Sequence, residues 1–298
     1  MKNIALYVIT VLIWGSSWFA IEFQLSHVDI LVAIFYRFAL AALIMWAYCT
    51  VAKVPMSFVK KDHFFILVLA LFNFSLNYLV IYYSQRYLTS AMTSIAFSTM
   101  LLMNILNTRL FFGKAISAQV WLGAFCGIAG LIALFWRDLQ SQDGSDQTLL
   151  GLTLAILAAF IASLGNMVSV RNSQNGIDVL AANAWCMIYG SGLLLLAVFL
   201  TGGTFKLVLE PSFVISLLYL SVFGSVIAFA SYYLLLNNIG PEKGSYVIVL
   251  FPVVSVILST LFEDFVWTQS TVFGFVLVLL GNAIILTPIE KIRGSLRA

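Results

Sequence analysis

Ten stretches of this chain are long and apolar enough to cross a bilayer, which removes most folds from consideration. They cover residues 4–23, 30–51, 64–85, 90–109, 117–136, 149–170, 178–200, 212–236, 243–262 and 269–287. A helix needs about 20 mostly apolar residues to span about 30 Å of hydrocarbon. Inside lipid, a lone segment can pair its own amides only as a helix, so these runs read as helices. Charged residues are 9% of the 298 and apolar ones 62%, whereas a soluble domain carries roughly a quarter charged residues. There is too little polar surface here to wet a globule, and the expected fold is all-α and embedded in the lipid bilayer. The first run begins at Ile4 and is expected to be a retained span, not a cleaved signal.

The chain also repeats itself. A slide of 151 places sets Tyr82 on Tyr233, Ser94 on Ser245, Leu110-Phe111 on Leu261-Phe262, Gly123 on Gly274 and Gly130 on Gly281. Few residues are identical, but breaks, glycines and apolar runs keep step through 82–134 and 233–285, as they do in a structural duplication. The expected organisation is a first five-helix repeat over 1–136, an extracytoplasmic linker over 137–148 and a second repeat over 149–298.

Lys and Arg set the orientation, because they concentrate in cytoplasmic loops. With the N-terminus inside, the cytoplasmic segments hold Lys2, Lys53, Lys60, Lys61, Arg109, Lys114, Arg171, Lys243, Lys291, Arg293 and Arg297, against Arg86, Arg137 and Lys206 outside. Both termini are therefore expected in the cytoplasm. These loop charges also account for the net +3, so no nucleic-acid partner is expected. Five spans is an odd number, so the second half enters from the opposite face. Arg109 and Lys114 after span four are answered by Glu263 and Asp264 after span nine. Inverted repeats of this kind occur in secondary transporters, with a small-molecule site near mid-membrane where the halves meet. Rocking the halves about that site would give alternating access.

Polar side chains inside spans must face other helices or a cavity. In span three, Asn73 and Asn77 lie four apart, with Phe74, Tyr78 and Tyr82 on the neighbouring face. They would either tie helices together or line a cavity suited to a zwitterion with an apolar side chain. Span four offers Ser94 and Ser98. Span nine offers Tyr246 and Pro252, whose missing N–H frees a carbonyl and would make a packing kink or a hinge. Trp14 lies roughly 15 Å along span one, too deep for an interface anchor; Asn166 sits at matching depth in the second half, and Trp185 is a similar candidate in span seven. Gly123, Gly127 and Gly130 form a small-residue face for close helix packing; a monomer is expected, and the same face would also suit a dimer. Arg37, inside span two, would pair with Glu22 near the outer end of span one or snorkel to the surface.

No Asp or Glu lies mid-span, which argues for facilitated diffusion over tight proton coupling. There is no G-x-x-x-x-G-K-[ST] loop for ATP. Cys49, Cys126 and Cys186 read as apolar fillers, and His27 and His63 sit in separate loops. No catalytic or metal-ligating set can be placed at one depth, so neither an enzyme nor a cofactor is expected.

WGSSWFAIEF in span one, YRFALAALIM in span two and TSAMTSIAFSTMLLMNILNTRLFFGKAIS followed by G-x-x-x-G-x-x-G resemble the drug/metabolite transporter superfamily, in particular its ten-helix EamA-type exporters. IGPEKGSYVIVLFPVVSVILSTLFEDFVW is similar to the second copy in that family. The resemblance covers nearly the whole chain. It implies an inverted 5+5 bundle whose central cavity is formed largely by spans three, four, eight and nine. Small multidrug relatives carry a glutamate in span one where this chain has Trp14, which puts drug/proton antiport in doubt. The tyrosines and asparagines of span three, and the lack of mid-membrane charge, look more like YddG-type exporters of aromatic amino acids. The leading expectation is an exporter of neutral, aromatic or bulky apolar amino acids in the bacterial inner membrane. An exporter of drugs or other metabolites, and a non-transporting receptor or assembly subunit, are the alternatives.

Overall fold

The structure, a computed structural model, describes residues 2–113, 115–140, 145–239 and 246–286. Lys114, Lys243, Ser245, Lys291, Arg293 and Arg297, which entered the repeat and orientation readings, lie outside these residues. Nine helices among the described residues are long and apolar enough to cross a membrane, and a tenth apolar helix, Tyr246–Phe262, is shorter. In chain order they are α1 (Lys2–Leu25), α2 (Ile30–Val51), α3 (Lys60–Ser84), α4 (Ser90–Phe112), α5 (Ala118–Gln140), α6 (Ser145–Gln174), α7 (Val179–Leu200), α8 (211–239), α9 (Tyr246–Phe262) and α10 (Gln269–Leu286). No strand occurs among the described residues.

Capping residues explain several starts. Asp29 accepts from Leu31 N (2.9 Å) ahead of α2, and Asp178 accepts from Ala181 N (2.9 Å) ahead of α7. Each caps the second helix of its half, and each satisfies an amide that the first helical turn leaves unpaired. Pro211 opens α8, where a missing N–H does no harm. Residues 137–148 were expected to be a linker, but α5 runs on to Gln140 and α6 begins at Ser145. Polar residues past the hydrocarbon edge can simply extend a helix into water.

The ten helices are arranged as two inverted repeats of five. α5 packs along α10, α2 along α7 and α4 along α9; α1 lies against α8 and α9, and α6 against α3 and α4. Exchanging each helix with the one five places on returns the same set of pairs. The glycines obey this exchange atom by atom. A Cβ on Gly123 would sit 2.5 Å from Gly281 O, and one on Gly274 would sit 2.6 Å from Gly130 O. The small-residue face of α5 is therefore occupied by α10 of the same chain, backbone against backbone. The principal contacts run between the halves, not within them. Rocking of 1–136 as a body against 149–298 does not fit this interleaving, and any moving bodies must be drawn from both halves.

Both α3 and α8 contain a π-helical segment at repeat-equivalent positions, Phe72–Leu76 and Leu220–Ile227. A serine in each bonds a carbonyl five residues back: Ser75 to Ala70 O (3.4 Å) and Ser225 to Leu220 O (2.9 Å). α4 is broken at Ser98–Thr99, where Ser94, Ser98 and Thr99 each donate to the carbonyl three residues earlier. Large apolar side chains such as Leu43, Phe125, Phe199 and Phe273 point outward, as lipid requires. Serine, asparagine and arginine are held inside.

Candidate functional site

A central cavity of about 110 Å³ opens where α1, α2, α3, α4, α6, α8 and α9 converge. Its lining follows the repeat. Phe97 and Met100 of α4 have Ile248 and Phe251 of α9 as their 151-residue mates, and Tyr78 and Ile81 of α3 have Phe229 and Tyr232 of α8. α1 adds Trp14, Ser17, Trp18 and Ile21, and α6 adds Ala162 and Asn166. Seven of the seventeen lining residues are aromatic. Trp14 packs on Phe229 (5.4 Å between centroids) and Tyr232 (4.8 Å), and Trp18 on Phe97 (5.2 Å) and Phe251 (5.8 Å).

One side of the cavity is an asparagine chain. Asn73 Nδ2 donates to Asn166 Oδ1 (3.2 Å), and Asn166 Nδ2 donates to Asn104 Oδ1 (3.1 Å). Gly165 makes room for it, since a Cβ there would collide with the Asn73 amide. Asn73 Oδ1 and Asn77 Oδ1 are buried with no hydrogen-bond partner among the described residues. The π segment brings these residues round to the cavity. Its bonds link residues five apart, which aligns Asn73 with Tyr78 as well as bringing in Asn77. Phe74 turns instead into packing against Phe38 (5.6 Å) and Phe229 (5.1 Å).

Of the ten residues put forward from sequence for the cavity, Trp14, Asn73, Asn77, Tyr78 and Asn166 line it, and the other five and the hinge candidate Pro252 do not. Tyr82 is buried one turn beyond Tyr78 and donates to Gln24 Oε1 (2.9 Å). Ser94 donates to Ala91 O (2.8 Å), and Ser98 donates to Ile95 O (2.7 Å) while accepting from Asn282 Nδ2 (3.1 Å). Their hydroxyls are taken up by the broken helix and by α10. Trp185 lies near the start of α7, where Nε1 donates to Met56 O (2.9 Å) and the ring packs on Trp46 and His63. Tyr246 opens α9 outside the lining. Pro252 is buried within α9 and leaves the carbonyl of Ile248, a lining residue, without its helical donor.

Arg37 was misjudged from sequence. It neither snorkels nor pairs with Glu22; it is 1% exposed and lines the cavity. Nε donates to Ser225 Oγ (3.1 Å), and the guanidinium lies 4.5 Å from the Tyr78 ring centroid and 5.4 Å from that of Phe38. Ser221 Oγ donates to its main-chain carbonyl (3.0 Å), and Nη1 has no hydrogen-bond partner among the described residues. Gly224, the mate of Asn73, leaves space beside it; a Cβ there would come 3.3 Å from Nη2. The expected lack of mid-membrane charge therefore does not hold for the cavity. Phe97, Phe229 and Phe251 also went unnoticed, although the 151-residue slide pairs Phe229 with Tyr78 and so offered a signal for that position.

Hydrogen bonds close one end of the bundle. Gln85 Nε2 donates to Trp18 O (2.9 Å) and to Glu22 Oε1 (2.9 Å). Ser84 donates to Gly151 O (2.8 Å). Glu263 accepts from Ser90 N (3.0 Å), Ser90 Oγ and Ser259 Oγ (2.6 Å), placing a carboxylate at the N-terminus of α4, where the helix dipole favours it. At the opposite end Arg171 pairs with Asp62 (3.3 Å) and lies 3.7 Å over the Phe65 ring. No group of three or more His, Cys, Asp or Glu suited to a metal occurs among the described residues.

The family comparison follows the same division of the chain. The EamA-like transporter family matches it twice, over residues 1–136 and 149–287. The chain belongs to the EamA-like transporter family. Among relatives of this EamA-like transporter is the "Uncharacterized transporter in trpA 3'region" of Buchnera aphidicola subsp. Schlechtendalia chinensis, 25% identical over 89% of this chain and 85% of its own length. "Uncharacterized transporter YoaV" of Bacillus subtilis is 23% identical over 94% of this chain and 96% of its own. "Uncharacterized inner membrane transporter YedA" of Escherichia coli K12 is 26% identical over 86% and 80%. A solved crystal structure superposes with a TM-score of 0.69 over 95% of both chains at 16% identity, a likeness of fold alone. The protein is a multi-pass membrane transporter and not an enzyme.

Proposed function

We propose that this EamA-like transporter exports neutral amino acids with aromatic or bulky apolar side chains, working by alternating access as a facilitator. The observation that carries this reading is the pairing, in one buried cavity, of aromatic walls with unpartnered polar atoms of both kinds. Arg37 Nη1 can donate, and Asn73 Oδ1 and Asn77 Oδ1 can accept. A zwitterion needs both, and its side chain would stack on Trp14, Trp18 or Tyr78. No carboxylate among the described residues lines the cavity, which supports a facilitator over a proton exchanger. Kinship with YddG-type exporters of aromatic amino acids belongs to this reading. The bacterial inner membrane and cytoplasmic termini belong to it too, supported by the loop charges and by the inner-membrane name of the YedA relative, as does a monomeric state, supported by the cover that α10 gives the glycine face of α5. Pro252 serves in this reading as a hinge of α9.

Liposomes carrying the protein are expected to take up tryptophan or phenylalanine without an imposed proton gradient. Failure with every amino acid, together with robust efflux of a lipophilic cation, would overturn the reading in favour of a drug exporter. The cavity argues against that outcome, because Arg37 presents a like charge to such a cation.

A further inference from the structure

We infer that Arg37 is the carboxylate anchor of the cavity, so that the ligands recognised are apolar and aromatic monocarboxylates, with the amino group dispensable. The inference rests on the reading that this cavity is the substrate site, and it narrows the chemistry that site accepts.

A charged side chain inside a membrane protein is costly and is normally paired with a counter-charge. Arg37 has no such partner among the described residues. Glu22 is engaged with Gln85, Glu263 with Ser90 and Ser259, and Asp62 with Arg171. Asp29 and Asp178 cap helices. What holds the guanidinium is neutral: a hydrogen bond from Nε to Ser225 and the face of Tyr78. These contacts fix the plane of the group and leave its positive charge uncompensated, with Nη1 buried and unpartnered among the described residues in a side chain that lines the cavity. A planar fork of donors, held at Nε and with Nη1 unpartnered, suits an anion with two oxygens in one plane.

Carboxylate and phosphate both offer such oxygens, and the surroundings decide between them. Arg37 is the only cation lining the cavity among the described residues, and the remaining lining is mostly aromatic and aliphatic. One positive charge balances a monocarboxylate and leaves a phosphate dianion half neutralised in a water-poor site. Arg37 has Ile188 at the equivalent place of the second half. The cavity is therefore charged on one side only, and a bound acid would be held with its carboxylate towards α2 and its apolar body against α1, α4 and α9.

The test uses the full-length protein in lipid nanodiscs, with binding followed calorimetrically for four probes: L-phenylalanine, 3-phenylpropionate, 3-phenylpropionamide and phenethylamine. The two acids are expected to bind, and the amide and the amine to bind at least about tenfold more weakly. Arg37→Gln should weaken both acids by about tenfold to a hundredfold, the range for losing a hydrogen bond to a charged group, and should leave the amide unchanged. Arg37→Lys should fall between. Amine or amide binding as tight as acid binding, or acid binding unaltered in Arg37→Gln, would overturn the inference. If Arg37→Gln does not fold, the acid-against-amide ratio in the unsubstituted protein decides alone. Arg37-dependent binding of 3-phenylpropionate without binding of phenylalanine upholds the anchor and overturns the amino-acid reading. Phenylalanine binding indifferent to Arg37 does the reverse, and binding of none of the four overturns both.

Discussion

Ser98 and Trp185 look like cavity residues in the sequence, and each has its polar group committed elsewhere. Ser98→Ala would leave the Asn282 amide without its acceptor, a loss of about 1–3 kcal/mol. Trp185→Phe would lose the bond to Met56 O, about 1 kcal/mol. Both variants are expected to unfold at lower temperature while keeping the wild-type KM for transport. Tyr78 should behave in the opposite way. Tyr78→Ala removes the ring that holds the Arg37 guanidinium, and a cation–π contact of about 0.5–2 kcal/mol predicts a KM higher by roughly two- to thirtyfold. Tyr78→Phe keeps the ring and most of the affinity. Asn73, Asn77, Tyr78, Asn166 and Trp14 were legible because a polar or indole group deep in a span must face inward. The same logic cannot separate a cavity from a neighbouring helix, which is why Ser94, Ser98 and Tyr82 were grouped with them. Arg37 was missed for a different reason: eight residues of helix and a flexible side chain allow snorkelling, and only Ser225, Gly224 and Tyr78, all distant in sequence, hold it inward.

Among the elements, the crossing of α5 and α10 makes the sharpest prediction. Cβ atoms at Gly123 and Gly274 would lie 2.5 Å from Gly281 O and 2.4 Å from Leu134 N, so Gly123→Ala and Gly274→Ala must push the helices apart. As repeat mates they should lower the thermal midpoint by similar amounts. Gly127→Ala meets nothing within 4 Å and should be neutral or stabilising, by up to about 1 kcal/mol of helix propensity. Thermal unfolding in detergent of the three variants side by side would check all of this. The helices were legible because each is a long apolar run, and their ends fell close to where composition changes. The π segments were not. A single residue added to a turn leaves the apolar pattern intact, and the serines that stabilise it, Ser75 and Ser225, resemble many other serines in these spans. Residues 137–148 read as a loop because they are polar, but polarity marks the edge of the hydrocarbon and not the end of a helix.

At the scale of the whole molecule, neither half has a core of its own. α1 finds its partners in α8 and α9, α2 in α7 and α5 in α10. A chain ending at residue 140 is expected to be cleared by proteases in cells, and co-expression with 145–298 should restore both its lifetime and transport. Survival of the first half alone, measured by pulse-chase, would contradict this. Interleaving also sets a timetable for synthesis. More than 180 residues separate the end of α1 from the beginning of α8, and at about 5–20 residues per second the wait is on the order of ten seconds or more. Until the second half follows, the nascent first half sits in the bilayer with its glycine face uncovered and Arg37 without Ser225 beside it. Insertion into the membrane and folding are thus separated in time, and the most exposed moment in the life of this transporter comes before its second half has been translated.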